Sequence, residues 1–146
     1  GTGIRLWKTD GTALGTQMVS NIVSTPQQLA EHQGILYFSG LSGTGRELWR
    51  SDGTAAGTFL VRDIFVGGSS NPSNFTSVNN FLYFNANTNL GAEYWKSDGT
   101  NAGTQLISDI YSGSRSSNPQ GFTYVRNCNK IYFQIDISRV IPTFFD

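Results

Sequence analysis

The sequence is poor in charge, cysteine, histidine and methionine. Charged residues make up 14% of its 146 residues, and ten basic side chains balance ten acidic ones. Nucleic acids and anionic membranes select basic surfaces, so the composition favours neither as a partner. One cysteine, Cys128, cannot form an internal disulfide, and together with the single His32 it is too little for a soft-ligand metal site. We expect His32 to be a polar turn residue and Cys128 a half-buried strand or turn residue.

Long apolar runs are absent as well. The longest fall far short of the ~20 residues that a membrane-spanning helix needs, so no membrane span is expected. The first residues, 1–4, contain neither a basic region nor an apolar signal core, and a signal peptide is therefore expected to have been removed or to lie upstream. Polarity comes instead from Ser, Thr, Asn and Gly, which is typical of extracellular β-proteins. The expected location is extracellular or at the cell surface.

What the sequence does contain is a repeat. The motif Leu-Trp-Lys-Thr-Asp-Gly-Thr at residues 6–12 returns in modified form at residues 48–54 and 94–100, which places Trp7, Trp49 and Trp95 at intervals of 42 and 46 residues. The likeness continues to a Tyr-Phe pair near the end of each unit. We therefore predict a single repeat domain over 1–146, with units at about 5–46, 47–92 and 93–136 and an atypical C-terminal tail at 137–146.

The period of the repeat fits four short strands and their turns, which is one β-propeller blade. In the second full unit we predict strands at 74–78, 81–85, 93–97 and 104–110, with a turn at Asn79 and Asn80. The fold class is predicted to be all-β: a β-propeller-like array of four-stranded antiparallel blades, with two full blades and a half blade at each terminus. This gives twelve strands grouped as two, four, four and two. A β-solenoid is the rival interpretation, although its coils usually have shorter periods.

Large apolar side chains occur at successive positions of the predicted strands. Because side chains alternate between the two faces of a strand, segments such as residues 81–84 carry apolar groups on both faces. Such strands fit sheets that pack face to face. The repeated tryptophans are therefore expected to fill the core, with stacking on sugar rings as the alternative.

The string from Glu47 to Thr54, Glu-Leu-Trp-Arg-Ser-Asp-Gly-Thr, resembles the bacterial repeat family defined by the pattern Glu-Leu-Trp-x-x-Asp-Gly-Thr (ELWxxDGT). The resemblance covers all three units. It implies a β-propeller-like fold in large secreted or surface-attached proteins, with no established enzymatic activity, and it supplies no ligand. The first unit departs from the pattern, because Arg5 replaces Glu and the segment before Pro26 is four residues shorter than that before Pro72. The pattern is lost after Phe133.

No motif indicates catalysis, a metal or a cofactor. Asp10, Asp52 and Asp98 are expected to be structural turn residues, since Asp before Gly accepts hydrogen bonds from the amides of its own turn. Calcium sites usually have denser Asp spacing. Glu47 and Asp52 lie five positions apart, so in one strand they would point to opposite faces rather than form a glycosidase pair. We therefore predict a chain that is not an enzyme.

Binding is expected on loops that a rigid scaffold holds in place. In four-stranded blades one face carries the uniform Asp-Gly-Thr turns, whereas the other carries loops predicted to vary in length and composition. These variable loops are residues 39–45, 66–71, 85–91 and 112–118, and the candidate contacts on them are Asn87, Asn89 and Arg115. Asn74 begins an N-glycosylation sequence, which we treat as incidental.

The half blades at the two ends of the chain predict bare strand edges, and such edges invite pairing. We therefore expect a non-enzymatic extracellular module for protein binding or structural assembly, with homo-oligomers or other repeats of the same polypeptide as partners. Closure could give a ring or a filament. The alternative is a lectin-like carbohydrate binder, favoured if the loop aromatics Tyr111 and Phe65 are exposed. A hydrolase is the third possibility and lacks a unique pair of acids.

Overall fold

The computed structural model describes residues 3–136, which form twelve β-strands and one short 3₁₀ turn. The strands are β1 (Leu6–Lys8), β2 (Gln17–Ser20), β3 (Ser24–His32), β4 (Ile35–Ser42), β5 (Gly45–Ser51), β6 (Phe59–Arg62), β7 (Ser73–Val78), β8 (Phe81–Thr88), β9 (Gly91–Ser97), β10 (Gln105–Ser108), β11 (Gln120–Val125) and β12 (Lys130–Gln134). The 3₁₀ turn, Arg126–Cys128, lies between β11 and β12. The predicted tail at 137–146 lies outside the described residues.

The strands form four antiparallel sheets, and each sheet is a simple meander. Sheet A contains β1 and β2, sheet B contains β3 to β6, sheet C contains β7 to β10, and sheet D contains β11 and β12. The prediction of an all-β chain divided into sheets of two, four, four and two strands is therefore confirmed. Contacts also join the first strands of successive sheets, β3 to β7 and β7 to β11.

Sheets B and C share one register. Phe38 of β4 lies opposite Trp49 of β5, and Phe84 of β8 lies opposite Trp95 of β9. The neighbouring pairs are equivalent as well, since Tyr37 faces Arg50 across one sheet and Tyr83 faces Lys96 across the other. The sequence repeat is thus also a repeat of strand pairing.

The core lies between the sheets. One cluster unites Leu6 and Val19 of sheet A with Phe38 and Trp49 of sheet B. A second cluster unites sheets B and C, and its members include Leu48, Val61, Phe84 and Trp95. Burial of each such side chain contributes roughly 1.5–3 kcal/mol, so the contacts between sheets are a main source of stability. In both clusters the Trp of one sheet joins the apolar residues of the sheet before it.

Two of the predicted variable loops are shorter than expected. Strand β8 runs on to Thr88, so Asn87 is a strand residue and only Asn89 and Leu90 form the turn to β9. Strand β4 likewise runs on to Ser42, which leaves a turn of residues 43–44. Both hairpins therefore have a two-residue turn in place of the loops predicted at 39–45 and 85–91. The ladders continue because a Gly with positive φ, Gly45 or Gly91, closes each hairpin.

The structure also corrects the expected place of His32 and the expected half-burial of Cys128. His32 is the last residue of β3 and is only 2% exposed. Its Nδ1 lies 2.8 Å from the hydroxyl oxygen of Ser77, a hydrogen bond that joins sheets B and C. Cys128 is exposed and lies in the 3₁₀ turn. Within residues 3–136, no helix has the length and apolar character needed to cross a bilayer.

Candidate functional site

The three Asp-Gly-Thr turns have the same hydrogen bonds. In the second turn, Asp52 Oδ1 accepts from the amide of Thr54 at 2.8 Å and from its hydroxyl at 2.7 Å. The hydroxyls of Ser51 and Thr58 lie 2.7 Å apart across the base of the turn. The equivalent bonds occur at Asp10 and Asp98. Bonds from Thr are also the main reason that the pKa values of all three aspartates lie below the ordinary value.

The Gly before the second strand of each turn has a steric role that the sequence did not reveal. A Cβ atom on Gly57 would lie 2.0 Å from Asp52 Oδ1, and the same clash occurs at Gly15 and Gly103. The Asp carboxylate therefore occupies the space of the missing side chain. Asp10, Asp52 and Asp98 serve the turn itself, and among residues 3–136 no group of three or more His, Cys, Asp or Glu side chains could hold a metal ion.

Glu47, from the Glu-Leu-Trp part of the motif, holds both ends of the β6–β7 connector (residues 63–72). Its Oε2 accepts from the amide of Ile64 at 2.9 Å, and its Oε1 accepts from the amide of Ser70 at 2.8 Å. The hydroxyl of Ser70 also donates to Oε2. Glu93 makes the same three contacts to Ile110 and Ser117 in the β10–β11 connector (residues 109–119).

Both glutamates are fully buried. Burial raises the pKa of Glu47, and the nearby Asp63 raises it further, while the hydrogen bonds from Ser70 and Ile64 act in the opposite direction. With three donors on its two oxygens, the Glu47 carboxylate is engaged in holding the connector. Asp52 is exposed in its turn, so these two acids do not face one cleft.

The first unit lacks both the carboxylate and the long connector. Arg5 occupies the position of Glu47, and only residues 21–23 lie between β2 and β3. Arg5 Nη1 lies 3.5 Å from the carbonyl oxygen of Val23. The two departures from the repeat pattern therefore have one cause, because a three-residue link has no amides at two distant ends for a carboxylate to hold. Sequence reasoning noted each departure and missed the relation between them.

The predicted contact residues lie along one end of sheet C. Asn87 is half-buried in β8, and its backbone N–H donates to the carbonyl oxygen of Ser70 at 2.7 Å. Asn89 is exposed in the β8–β9 turn, and Arg115 is exposed in the β10–β11 connector. The backbone of Arg115 packs on Gly91, where a Cβ would lie 2.6 Å from the Arg115 carbonyl carbon. The structure thus brings the segments of Asn89 and Arg115 together without a side-chain contact between them.

An open polar cleft of about 540 Å³ lies beside these segments. Its lining includes Ser73, Asn85, Ser117 and Gln134, and no aromatic ring of residues 3–136 takes part. The loop aromatics are not free either: Phe65 is half-buried, with its ring against Gly68, and the half-buried Tyr111 donates to the carbonyl of Asp136 at 3.2 Å. Asn74 is exposed in β7.

Basic side chains link the turn of one sheet to the sheet before it. Lys8 Nζ in sheet A donates to the carbonyl of Gly53 in sheet B at 2.9 Å, and Arg50 Nη1 in sheet B donates to the carbonyl of Gly99 in sheet C at 3.3 Å. Lys96 is the equivalent residue of sheet C. Among the residues described, the following sheet, D, has no Asp-Gly-Thr turn. The Nζ of Lys96 instead lies 4.8 Å from the centre of the Phe81 ring.

The two-stranded sheets A and D expose residues that are buried in sheets B and C. Trp7 is 59% exposed, whereas Trp49 and Trp95 are 5% and 7% exposed. The expectation that all three tryptophans fill the core is therefore wrong for Trp7 in the isolated chain. Phe133 is 37% exposed, whereas its counterparts in β4 and β8, Phe38 and Phe84, are fully buried. Sheets A and D remain separate two-stranded sheets in this structure. These uncovered sheets are the best candidate for a functional surface.

Comparison with known proteins leaves the family open. No family model, no curated protein and no solved structure matches the chain. The resemblance to the ELWxxDGT repeats stays a prediction.

Proposed function

We propose that this chain is a non-enzymatic extracellular repeat module that assembles with further copies of itself through its incomplete terminal sheets. The observation that carries the proposal is the exposure of Trp7 and Phe133 at positions that are buried in the complete sheets. Large apolar groups beside an unpaired strand edge favour association, because both the apolar area and the backbone hydrogen bonds gain from a partner.

The assembled form is proposed to be propeller-like. Contacts between the first strands of neighbouring sheets, β3 with β7 and β7 with β11, support a radial arrangement around a common axis. Two copies that each contribute two full sheets and two half sheets would make six complete sheets. Head-to-tail joining without closure would give a filament instead.

The absence of enzymatic activity is part of the same proposal. The buried carboxylates of Glu47 and Glu93 hold connectors, and the turn aspartates hold their own turns. What remains for recognition is the end of the sheets that carries Asn87, Asn89 and Arg115, which suits a protein partner.

Light scattering coupled to size-exclusion chromatography tests the proposal. We expect a mass at least twice the 16.0 kDa of one chain at micromolar concentration, with dissociation on dilution. Electron microscopy of the same fractions distinguishes six-sheet rings from filaments. A chain that stays monomeric at every concentration would contradict the proposal.

A lectin-like carbohydrate binder remains the second candidate. The polar cleft beside Asn85 and Gln134 favours it, since hydroxyl and amide groups bind sugar hydroxyls. The half-buried state of Phe65 and Tyr111 counts against it. A glycan array separates the two, because specific binding that is lost in Asn85→Ala would favour the carbohydrate function.

A further inference from the structure

We propose that the edge of β12 away from β11, which pairs with no other strand among residues 3–136, is completed by the β1–β2 hairpin of a second copy of the chain, in a register that places Trp7 of that copy opposite Phe133. This inference rests on the assembly proposed above and specifies its partner and its strand register. The product is a four-stranded sheet in the order β11, β12, β1 and β2, the last two strands coming from the second copy.

The register follows from the two complete sheets. Strand β12 contains the Tyr-Phe pair of β4 and β8, at Tyr132 and Phe133. In sheets B and C the Phe of this pair lies opposite the Trp of the next strand, and the Tyr lies opposite a basic residue. The same pairing at β12 sets Phe133 opposite Trp7 and Tyr132 opposite Lys8. Hairpin β1–β2 contains the required strand, turn and return strand, with the same turn hydrogen bonds as the complete sheets.

The exposed residues of the two half sheets complement each other. Tyr132 is 57% exposed, whereas Tyr37 at the equivalent position in sheet B is 2% exposed. In sheet B the guanidinium carbon of Arg50 lies 5.9 Å from the centre of the Tyr37 ring, and Lys8 would occupy the same place beside Tyr132. The pairing thus supplies Tyr132 and Phe133 with the type of neighbour that their counterparts already have.

The neighbouring sheet C also has an exposed apolar residue that this hairpin would cover. Ile107 is 43% exposed, whereas Val19 and Val61, the equivalent residues of sheets A and B, are 7% and 4% exposed. Val19 lies in one core cluster with Trp49, and Val61 lies in the other with Trp95. Within residues 3–136, no Trp of a following sheet packs against Ile107 as Trp49 and Trp95 pack against Val19 and Val61. Trp7 of the second copy would cover it, and in return Trp7 would lose its own exposure.

Lys96 gives a further, polar contact for the same arrangement. Lys8 and Arg50 each donate to the Gly carbonyl of the Asp-Gly-Thr turn in the following sheet. With the hairpin of a second copy in place, the following turn is that of residues 10–12, and Lys96 would donate to the carbonyl of Gly11. One register therefore satisfies the strand edge, the apolar face and the basic side chain together.

Disulfide trapping tests the register directly. In a Cys128→Ser background, a Tyr132→Cys chain is mixed with a Lys8→Cys chain of different mass, both at positions exposed in the free chain. Directly opposed residues have Cβ atoms about 4.5–5.5 Å apart, close enough for a disulfide after small adjustment. We expect a mixed disulfide to form at least tenfold faster than with Thr9→Cys, the adjacent residue, whose side chain points to the other face.

A charge substitution at Trp7 tests the apolar contact, and a charge substitution at Val66 is its control. Trp7→Glu should abolish assembly in light scattering while the urea midpoint changes little, because Trp7 is largely exposed in the free chain. Val66→Glu is the matched control on the β6–β7 connector, at a residue that is 80% exposed, and should assemble normally.

The outcomes separate this inference from the proposed function. Assembly that persists in Trp7→Glu, or trapping that is fastest with Thr9→Cys, would overturn the register while self-association stands. A wild-type chain that does not assemble, together with Tyr132→Cys and Lys8→Cys chains that form no mixed disulfide, would contradict both.

Discussion

At the residue scale, the carboxylate of Glu47 accepts three hydrogen bonds from the two ends of the β6–β7 connector. Two come from Ser70 and one from Ile64. The groups of Ile64 and Ser70 that face Glu47 are all donors, so both of its side-chain oxygens must act as acceptors. An amide of the same shape would turn an NH₂ group towards at least one donor, and buried donors without acceptors cost about 1–3 kcal/mol each.

Glu47→Gln should therefore lower the free energy of unfolding by about 3 kcal/mol. Urea denaturation followed by tryptophan fluorescence measures the change. Glu31→Gln is the control: Glu31 is exposed and accepts one bond, from the Gly34 amide at 2.6 Å, which Gln Oε1 can also accept. That variant should change stability by less than about 0.5 kcal/mol. Equal losses in the two variants would contradict the role of Glu47.

The lowered pKa values of the turn aspartates predict a loss of stability in acid. Hydrogen bonds from Thr54 lower the pKa of Asp52 in the folded state, and those from Thr100 do so for Asp98. The unfolded chain therefore binds protons first as the pH falls, and the stabilisation, complete above about pH 5, is lost progressively below pH 4. Asn keeps an acceptor for the Thr donors but does not titrate. We expect Asp52→Asn combined with Asp98→Asn to flatten the decline of the urea midpoint between about pH 5 and pH 2. An unchanged decline would show that other groups cause it.

At the element scale, the repeat predicted the strands well and their ends less well. Clusters of β-branched and aromatic residues between Gly, Asn, Asp and Pro located all four strands of sheet C. The second strand nevertheless extends three residues beyond its predicted end at Asn85, to Thr88. The extension is polar, so its sequence looks like a loop. It is a strand because its backbone groups are paired with β9 as far as Gly91.

Gly45 is the point where the β6–β7 connector touches its own sheet. A Cβ there would lie 1.9 Å from the carbonyl oxygen of Gly68, and the φ of Gly45 is +97°. Gly67 has a similar φ of +81°, with no atom within 4 Å of its Cβ position. Gly67→Ala should cost about 1 kcal/mol from the backbone alone, and Gly45→Ala at least about 2 kcal/mol more, because the connector must move. Chemical denaturation of both variants measures the difference, and equal costs would show that the close approach is unimportant.

At the scale of the whole molecule, the incomplete sheets make fluorescence a measure of assembly. Trp49 and Trp95 are already buried in the free chain, whereas Trp7 is exposed. If Trp7 becomes covered by a second copy, the emission maximum should shift to shorter wavelength as the chain is concentrated. Trp7→Phe should lack this shift while retaining the emission of the other two tryptophans. A shift of equal size in Trp7→Phe would place the change elsewhere.

The sequence predicted the incomplete sheets because the phase of the repeat is visible in the spacing of its motifs. It could not predict which residues hold the molecule together between sheets. His32 was predicted to be a turn residue and is instead buried and bonded to Ser77. Glu47 was considered only as a partner of Asp52 in an acid pair, and its role in holding the β6–β7 connector was not predicted. Both functions depend on residues tens of positions away, and a local pattern contains no information about such distances.

The hydrogen bonds by which Glu47 fixes the β6–β7 connector have a practical consequence. Ile64 and Ser70 are fixed by one carboxylate, while Val66 between them is 80% exposed. Gly68 packs on Gly45, whereas Gly67 has no atom within 4 Å of its Cβ position. The exposed tip at Val66 and Gly67 can therefore change in length and composition while the sheets on either side keep their geometry. A foreign peptide inserted after Val66 would be displayed on a rigid support, at regular intervals if the chain assembles. Natural variation at the same tip would alter the exposed surface without altering the fold.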